Sequence, residues 1–310
     1  MKNKITCLLA GAALFGATAD AEIVLTDSLS AYGYIDMALT DGEGDNNTDT
    51  TVAEFELGFS FTPAESKWSA VAELSFDSDS ALNDAGDAVA DSSAEFETVT
   101  ISYQYSDSLS FTFGNILSYQ GFETFDATGL YQFSYAGASS VNNGVMYSAG
   151  YAVGASADYT TDVFDLGVWV GDSADDAATS SFEYLVAYKG IENLTVKAIF
   201  ADDPAYETTN VWASYDYGNW TFAVESVDHE FTDGDEVDLK MAMAYYSFGK
   251  AGITVRVTDG DYNDADFDKL TISPSYAFSD NVFGLIEFSN EELEGNEEED
   301  TAAVELIYSF

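Results

Sequence analysis

The residues that could carry chemistry are few in type and dominated by carboxylates. The 310-residue chain has 56 Asp and Glu against 9 Lys and Arg, with one His and one Cys. Its formal charge of −47 leaves no basic face to neutralise phosphates, which excludes a nucleic-acid-binding protein. With 20 Tyr and 22 Phe it is too aromatic for an acidic disordered chain. Any charge-based function must therefore come from carboxylates held by a folded scaffold.

Acid–base chemistry has one candidate pair, Asp228-His229. Histidine is the natural general base near neutral pH, and a neighbouring carboxylate could orient it to activate water. A lone histidine in a loop is far more often simply solvated. The sequence carries no glycine-rich phosphate-binding loop and no His/Cys metal cluster. Hydrolysis at Asp228-His229 is one functional hypothesis. A second hypothesis has to be based on the many carboxylates and on where the fold places them.

The first residues have the pattern of an export signal. Lys2 and Lys4 precede the largely apolar run 5–19, and Ala19-Asp20-Ala21 matches a small-x-small cleavage site. We predict a signal peptide over residues 1–21 and a single domain over residues 22–310. Cys7 lies inside the predicted signal, so the exported chain would have no thiol or disulfide chemistry.

Apolar and polar residues alternate through almost all of the remaining chain. In one segment Phe55, Leu57 and Phe59 alternate with Glu54 and Glu56. A period of two is that of a β-strand, whose successive side chains point to opposite faces. Sixteen such segments are recognised, at 28–40, 51–62, 67–77, 94–105, 108–118, 144–159, 163–171, 181–189, 194–201, 207–217, 219–228, 237–248, 252–259, 267–278, 282–290 and 301–310.

The links between these segments alternate in length. Short links such as Ser106-Asp107 take turns with longer, mostly acidic links such as Gly260–Asp266. Membrane barrels have an even number of strands, short turns at one rim and long loops at the other. We therefore predict an all-β fold, a transmembrane antiparallel up-and-down β-barrel of 16 strands, with counts of 14 or 18 left open. The barrel must close, because an open sheet edge in hydrocarbon leaves backbone groups unpaired.

The free-energy cost of placing a charge in lipid indicates which face of each predicted strand points outward and which points inward. A charge facing lipid is costly, so faces rich in Phe, Leu, Val and Met are expected outside and polar faces inside. In segment 237–248 this rule places Leu239, Met241 and Met243 outside and Lys240 inside. Sixteen strands enclose more volume than side chains fill, which leaves an aqueous channel.

Short motifs, in order along the chain, resemble those of Gram-negative outer-membrane porins. Tyr308-Ser309-Phe310 resembles the aromatic-x-Phe ending by which the barrel-assembly machinery recognises such proteins. Gly114-Asn115-Ile116 and the stretch 121–126 resemble the porin segment that leaves strand five, and 143–148 resembles the sixth porin strand. The resemblance extends over residues 22–310 and implies that the third long link folds inward as a constriction loop.

The resemblance also implies a function and a location. It implies a homotrimer in the outer membrane, in contact with lipid and lipopolysaccharide, that lets ions and small hydrophilic solutes diffuse passively. Porins of this family usually set an arginine cluster across the pore from an acidic inner loop. This chain departs from that pattern, because Arg256 is its single arginine.

The third long link, Tyr119–Asn143, is the longest and among the least acidic. It carries Phe122, Leu130 and Phe133, which would be poorly placed in water at an outer rim. We expect it to fold against the inner wall and narrow the pore, with Glu123 and Asp126 facing the lumen. The alternative is a surface loop that packs on a neighbouring subunit.

The inward charges follow from the alternation. The predicted inward cations are Lys197, Lys240, Arg256 and Lys269, the last three forming a ladder on consecutive strands. Together with Glu123 and Asp126 they are the predicted constriction residues, across which opposed charges would set up a transverse field. The alternative is that the cations merely neutralise wall carboxylates. An excess of anions would make the pore favour cations, and the predicted inward anions are Asp36, Glu54, Glu56, Glu73, Asp165, Glu225 and Glu305.

No cofactor and no dedicated metal site are predicted. The acidic links 41–45, 259–261 and 297–300 offer carboxylates that could bind Ca²⁺ or Mg²⁺ weakly, or form a solvated acidic rim. The alternatives to a diffusion channel are a barrel-borne surface hydrolase or protease, which would use Asp228-His229, and a non-conducting surface adhesin.

Overall fold

The protein, seen here as a computed structural model, is built almost entirely of β-strands. The structure describes residues 22–42, 48–82, 88–123, 126–141, 144–147, 150–173 and 179–310, so the predicted signal peptide lies outside the described residues. One 3-10 turn, Ala127–Gly129, interrupts the longest connection. The strands are β1 (Ile23–Thr26), β2 (Leu29–Gly42), β3 (Thr48–Phe61), β4 (Trp68–Leu82), β5 (Ala88–Gln104), β6 (Leu109–Leu117), β7 (Tyr151–Thr160), β8 (Phe164–Asp172), β9 (Ser180–Ile191), β10 (Leu194–Asp203), β11 (Tyr206–Tyr217), β12 (Trp220–Phe231), β13 (Glu236–Phe248), β14 (Ala251–Tyr262), β15 (Ala265–Ala277), β16 (Val282–Leu293) and β17 (Glu299–Ser309).

Sixteen of these strands close into a barrel. From β2 to β17 each strand pairs antiparallel with the next, and β17 returns to pair with β2, where Leu306 lies opposite Met37. The short strand β1 forms a hairpin with β2 and is extra to the barrel. The prediction of an all-β, antiparallel, up-and-down barrel of 16 strands is confirmed.

The outer surface of the barrel carries a belt of exposed apolar side chains. Val257, Leu270 and Leu306, on three different strands, are 46%, 42% and 44% exposed. Aromatic rings pair across strands near the short-turn rim, with centroids 4.7 Å apart for Trp68–Tyr103. An apolar surface that extends over many strands is stable only in contact with another apolar surface or an apolar medium. Among the described residues, no helix is long and apolar enough to cross a membrane.

The predicted faces of β13 are wrong. Leu239, Met241 and Met243 point inward and are 0%, 2% and 3% exposed, whereas the side chain of Lys240 is 64% exposed on the outer face and pairs with Asp238. The inner face is apolar here because it packs against the connection between β6 and β7 rather than against water. Alternation indicated the strand, but it could not show which face the interior would bury.

The predicted sixth strand begins later than the sequence indicated. Strand β7 starts at Tyr151, and residues 144–147 belong to the preceding connection, so the assignment of 144–159 is wrong in its first part. Val145, Met146 and Tyr147 are buried in the barrel interior, which explains an apolar run that is not a strand. Phe125, Asn143 and Ser148 of the quoted motifs lie outside the described residues, as do 43–45 of the first acidic link.

Candidate pore constriction

The connection between β6 and β7, residues 118–150, is hereafter the inner loop, and its described residues lie inside the barrel. Its apolar side chains pack against the inner faces of β12 to β15, as Tyr131 does against Tyr245 with ring centroids 5.1 Å apart. Further along, Ala127 and Phe133 pack on β2, β16 and β17. The inner loop therefore packs against the inner faces of β2 and β12 to β17. The interior between this loop and β3 to β6 is called the passage below.

Arg256 on β14 ties the inner loop to the wall. Its guanidinium is 1% exposed and forms an ion pair with Glu123 of the loop. It also donates hydrogen bonds to the backbone oxygens of Ser134 and Tyr135, each at 2.7 Å. Arginine presents donors in a fixed planar fork, so one side chain can hold three points of the loop at once.

A second cation acts in the same way one strand further on. Lys269 on β15 is 4% exposed, forms an ion pair of 3.0 Å with Glu291, and donates to the backbone oxygen of Gly137 at 3.2 Å. Glu291 in turn accepts from the backbone N–H of Ser139 at 3.0 Å. The Lys269–Glu291 pair thus holds both a carbonyl and an amide of the inner loop.

Carboxylates of the wall accept hydrogen bonds from several further backbone N–H groups of the loop. Glu287 accepts from the N–H groups of Phe133 and Ser134 at 2.8 and 3.1 Å, and Glu225 accepts from that of Phe122 at 3.1 Å. Glu183 likewise accepts from the N–H of Tyr119 at 2.8 Å. Charge-assisted bonds of this kind are stronger than neutral ones, so the loop is fixed at several points between residues 119 and 139. Sequence reasoning missed Glu183, Glu287 and Glu291. Alternation alone puts Glu183 on an inner face, whereas the faces of segment 282–290, which contains Glu287, are ambiguous in the sequence.

The opposite wall, formed by β2 to β5, carries an acidic group. Glu56 and Glu73 are 5% and 7% exposed, and Glu54, Glu56 and Glu97 bring carboxylate oxygens within 4.8 Å of one another. Tyr hydroxyls brace two of them: Tyr34 donates to Glu54 and Tyr32 to Glu73, both at 2.5 Å. Two unit charges at this separation repel by roughly 3 kcal/mol at an effective dielectric constant near 20. Such an arrangement is costly to stability and therefore points to a functional role.

Asp126 of the inner loop faces this wall. Burial, followed by the negative charges of Glu73 and Glu54, raises the pKa of Asp126 to about 7. The constriction is therefore acidic on both sides: Glu54, Glu56, Glu73 and the neighbouring Glu97 on the wall, and Asp126 on the loop.

The predicted cations do not stand across the passage from these acids. Arg256 and Lys269 face inward as predicted but are covered by the inner loop, and Lys240 faces outward, so the predicted ladder and transverse field are wrong. Lys197 does face inward, with its Nζ 4.9 Å from the centre of the Trp212 ring. Among the described residues, the one further inward cation is Lys189, paired with Asp165 at 2.8 Å. Each inward cation is thus engaged by a partner.

The other predicted acidic residues lie on the inner wall in different settings. Glu225 holds the inner loop, as described, and Asp165 holds Lys189. Asp36 and Glu305 are 3% and 4% exposed and lie on the neighbouring strands β2 and β17, where Asp36 pairs with Ile307 in register. They belong to the part of the wall next to Glu54 rather than to the loop anchors.

Solvent reaches the inner wall along β6. Every residue of this strand is at least partly accessible, including Ser110 and Thr112, whose alternation with the exposed Phe113 places them inside. Thr112 and Ser102 share a hydrogen bond of 2.9 Å. Side chains that solvent reaches therefore line the passage on the β6 side.

The pair Asp228-His229 cannot act as an acid–base dyad. Both residues lie within β12 rather than in a loop, and consecutive strand residues point to opposite faces. Asp228 is exposed on the outer face, while His229 is 1% exposed inside, hydrogen-bonded to Thr208 at 2.6 Å and in contact with the rings of Tyr206 and, edge to face, Phe231. The arrangement gives this histidine a structural role.

Known proteins match the chain through their structures. No protein-family model and no curated protein matches its sequence. OmpT of Vibrio cholerae is 14% identical with a TM-score of 0.68, covering 93% of this chain and 100% of its own. The anion-selective porin of Comamonas acidovorans is 15% identical with a TM-score of 0.69, covering 91% and 99%. A mutant Rhodopseudomonas blastica porin is 19% identical with a TM-score of 0.64, covering 91% and 100%. The chain therefore has the fold of the 16-stranded porins of Gram-negative bacteria.

Proposed function

We propose that the protein is an outer-membrane porin whose water-filled channel favours cations and lets ions and small hydrophilic solutes diffuse passively. The apolar outer belt would meet lipid, and the lumen along β6 would carry water. Export by the predicted signal peptide, assembly through the terminal Phe310 and a homotrimeric state are parts of the same proposal. Catalysis is not part of it, because Asp228 and His229 lie on opposite faces.

The acidic constriction is the observation that carries the cation preference. Glu54, Glu56 and Glu73 on the wall face Asp126 on the loop, while Arg256 and Lys269 are sealed beneath the loop and paired with carboxylates. Rings of acidic side chains select for cations. One structural neighbour is an anion-selective porin. Under this proposal the charges of the constriction, rather than the shared fold, determine which ion is preferred.

The distribution of charged side chains between the two rims of the barrel also favours cations. Acidic side chains such as Glu207, Glu230 and Asp268 are exposed near the long-loop rim. Lys67 and Lys250, in contrast, lie at short turns, where their Nζ atoms donate to the backbone oxygens of Tyr105 and Phe278. A negative outer mouth raises the local concentration of cations and speeds their entry, an effect that salt weakens.

A planar bilayer measurement tests the proposed function. Purified protein should insert in discrete conductance steps, and in a KCl gradient the reversal potential should have the sign of K⁺ permeation. Raising the salt concentration should weaken the preference, because screening shortens the reach of the acidic wall. A sealed barrel without conductance steps would refute the channel, whereas steps with a chloride-type reversal potential would refute the cation preference alone.

The titration of Asp126 is expected to make the ion selectivity of the channel depend on pH. Since the raised pKa near 7 keeps this carboxyl protonated at lower pH and ionised at higher pH, raising the pH from about 6 to about 8 adds a negative charge to the constriction. The cation preference should therefore increase across this range in KCl containing a chelator.

The matched variant for this prediction is Asp126→Asn. It should show a smaller pH step than the wild type, because the carboxyl whose pKa is raised to about 7 is absent. Identical pH profiles for the two proteins would contradict the assignment to Asp126.

A further inference from the structure

A tyrosine on the inner wall lies across a glycine where the wall borders the passage. Tyr32 of β2 extends over Gly58 of β3 and donates to Glu73 of β4 at 2.5 Å, and the three residues are directly opposite one another in the strand register. A Cβ atom added at Gly58 would come within 2.3 Å of the Tyr32 ring. The ring therefore occupies the space that any other side chain at position 58 would fill.

The same arrangement recurs where the wall continues beyond β6. Tyr119, at the start of the inner loop, extends over Gly167 of β8 and donates to Asp158 of β7 at 2.5 Å. Gly167 and Asp158 are directly opposite in the register, and a Cβ atom added at Gly167 would lie 2.9 Å from the Tyr119 hydroxyl. Ser156 donates to the second oxygen of Asp158 at 2.6 Å, which fixes the acceptor.

The two tyrosines lie at a similar depth in the barrel. Gly58 is three residues from the end of β3 at Phe61, and Gly167 is three residues from the start of β8 at Phe164. Both of these strand ends are at short turns. The two tyrosines are partly exposed, whereas the glycines beneath them are buried. On these two stretches of wall a solute would therefore meet the rings rather than the strand backbone.

We propose that Tyr32 and Tyr119 set the width of the passage near the short turns, and so the largest solute that can pass. Gly58 and Gly167 act as positioning residues, because they let both rings lie against the wall. The carboxylate acceptors give the hydroxyls charge-assisted bonds, which hold the rings in that orientation. The inference rests on the proposed function, since it takes the passage to be the conducting pathway.

Gly58→Ala tests the larger of the two contacts. Carbon atoms in contact are about 3.5–4.0 Å apart, so a Cβ at 2.3 Å would displace the Tyr32 ring by roughly 1.2–1.7 Å. The ring is the free end of a rotatable side chain, whereas β3 is paired on both sides, so the ring should move into the passage. In planar bilayers this variant should have a lower single-channel conductance than the wild type and should exclude neutral polyethylene glycols of smaller size.

Gly167→Ala should act in the same direction but less strongly. Its Cβ would start 2.9 Å from the end of the Tyr119 ring, so the displacement is roughly 0.6–1.1 Å. The expected order of conductance is therefore wild type, Gly167→Ala and Gly58→Ala, from highest to lowest. The reverse order for the two variants would contradict the assignment of the width to these contacts.

The double variant Tyr32→Ala/Gly58→Ala separates a displaced ring from a distorted barrel. Without the ring, the new Cβ displaces nothing, so conductance and size limit should return at least to those of the wild type. A double variant as narrow as Gly58→Ala would overturn the proposal, because the narrowing would then come from β3 itself. Tyr32→Ala alone introduces no clash and should raise the size limit, and an unchanged limit would also overturn the proposal.

The outer face offers a matched control. Gly190 also lies beside a tyrosine, with its Cβ position 2.8 Å from the Tyr188 ring, but Tyr188 shares the outer face of β9 with the exposed Val186. Gly190→Ala should therefore leave conductance and size limit unchanged. A wild-type barrel without conductance steps would refute the channel and this inference with it. Wild-type steps combined with an unchanged size limit in Gly58→Ala would overturn the inference alone.

Discussion

Replacing Arg256 by alanine is expected to free the inner loop from the wall and to lower the free energy of unfolding by about 3–5 kcal/mol, the usual effect of removing one partner of a buried ion pair. Glu123 would keep its charge at 8% exposure without its partner. The backbone oxygens of Ser134 and Tyr135 would lose their donors as well. Few other single changes remove so many contacts of the loop.

Two measurements report the loss of the contacts that Arg256 makes with the inner loop. Unfolding followed by heat-modifiable electrophoretic migration should shift to lower temperature, and single-channel records should become noisier because the loop that narrows the passage is no longer fixed. Lys240→Ala is the matched control, since it removes an ion pair from the exposed outer face, with 64% and 51% side-chain exposure, and should change neither readout.

A double variant tests whether the effect comes from the pair itself. In Arg256→Met/Glu123→Leu both charges are absent, and uncharged side chains of similar size often replace a buried pair at little cost. The double variant should be more stable than Arg256→Ala but less stable than the wild type, because the backbone oxygens of Ser134 and Tyr135 still lack the bonds from Arg256. An alanine variant with wild-type melting and quiet wild-type currents would show that the loop is held without Arg256.

The barrel could be derived from the sequence because its rules are local. Alternation of side chains and the sorting of link lengths determine strand number and connectivity, and both depend on neighbouring residues only. The faces of most strands followed as well, because lipid excludes charge, and Glu54 or Arg256 then has only one side available. Strand β13 shows the limit of this argument. Its inner side chains, Leu239, Met241 and Met243, contact the inner loop, and the local pattern does not reveal that contact.

The same limit applies to the constriction. Glu123, Asp126 and Arg256 were recognised as residues of the site, but their relative positions depend on where a loop of more than thirty residues lies in the barrel. Glu123 and Arg256 are 133 positions apart in sequence and meet only because the loop folds onto β14. A sequence shows that a cation faces inward, but it does not show that another segment covers it. For this reason the transverse field predicted from the sequence is wrong, and the charged groups beside the passage are acidic.

Neutralising the acidic wall is expected to weaken selectivity and strengthen the barrel at the same time. In the triple variant Glu54→Gln, Glu56→Gln and Glu73→Gln, three acidic groups leave the passage. Each carboxylate that is ionised acts on a permeating ion with about 0.5 kcal/mol at roughly 8 Å in water, so two or three of them change ion partitioning by about five- to tenfold. The ratio of cation to anion permeability should fall accordingly.

The stability should change in the opposite direction. Glutamine has nearly the shape of glutamate and its carbonyl oxygen still accepts a hydrogen bond, so the bonds from Tyr34 and Tyr32 can be kept. What disappears is the mutual repulsion of buried carboxylates, and the unfolding temperature in chelator should rise. A gain in stability with a loss of function is the expected signature of residues held in an unfavourable arrangement for their task.

The outer face supplies the control for this variant too. Glu207→Gln, Glu230→Gln and Asp268→Asn remove three exposed charges near the long-loop rim, and the protein should keep most of its selectivity at high salt, where only charges lining the passage remain effective. If the outer-face variant lost selectivity at high salt and the wall variant kept it, the mouth rather than the constriction would select the ion. If the wall variant became less stable, its carboxylates would be structural, as those that anchor the inner loop are.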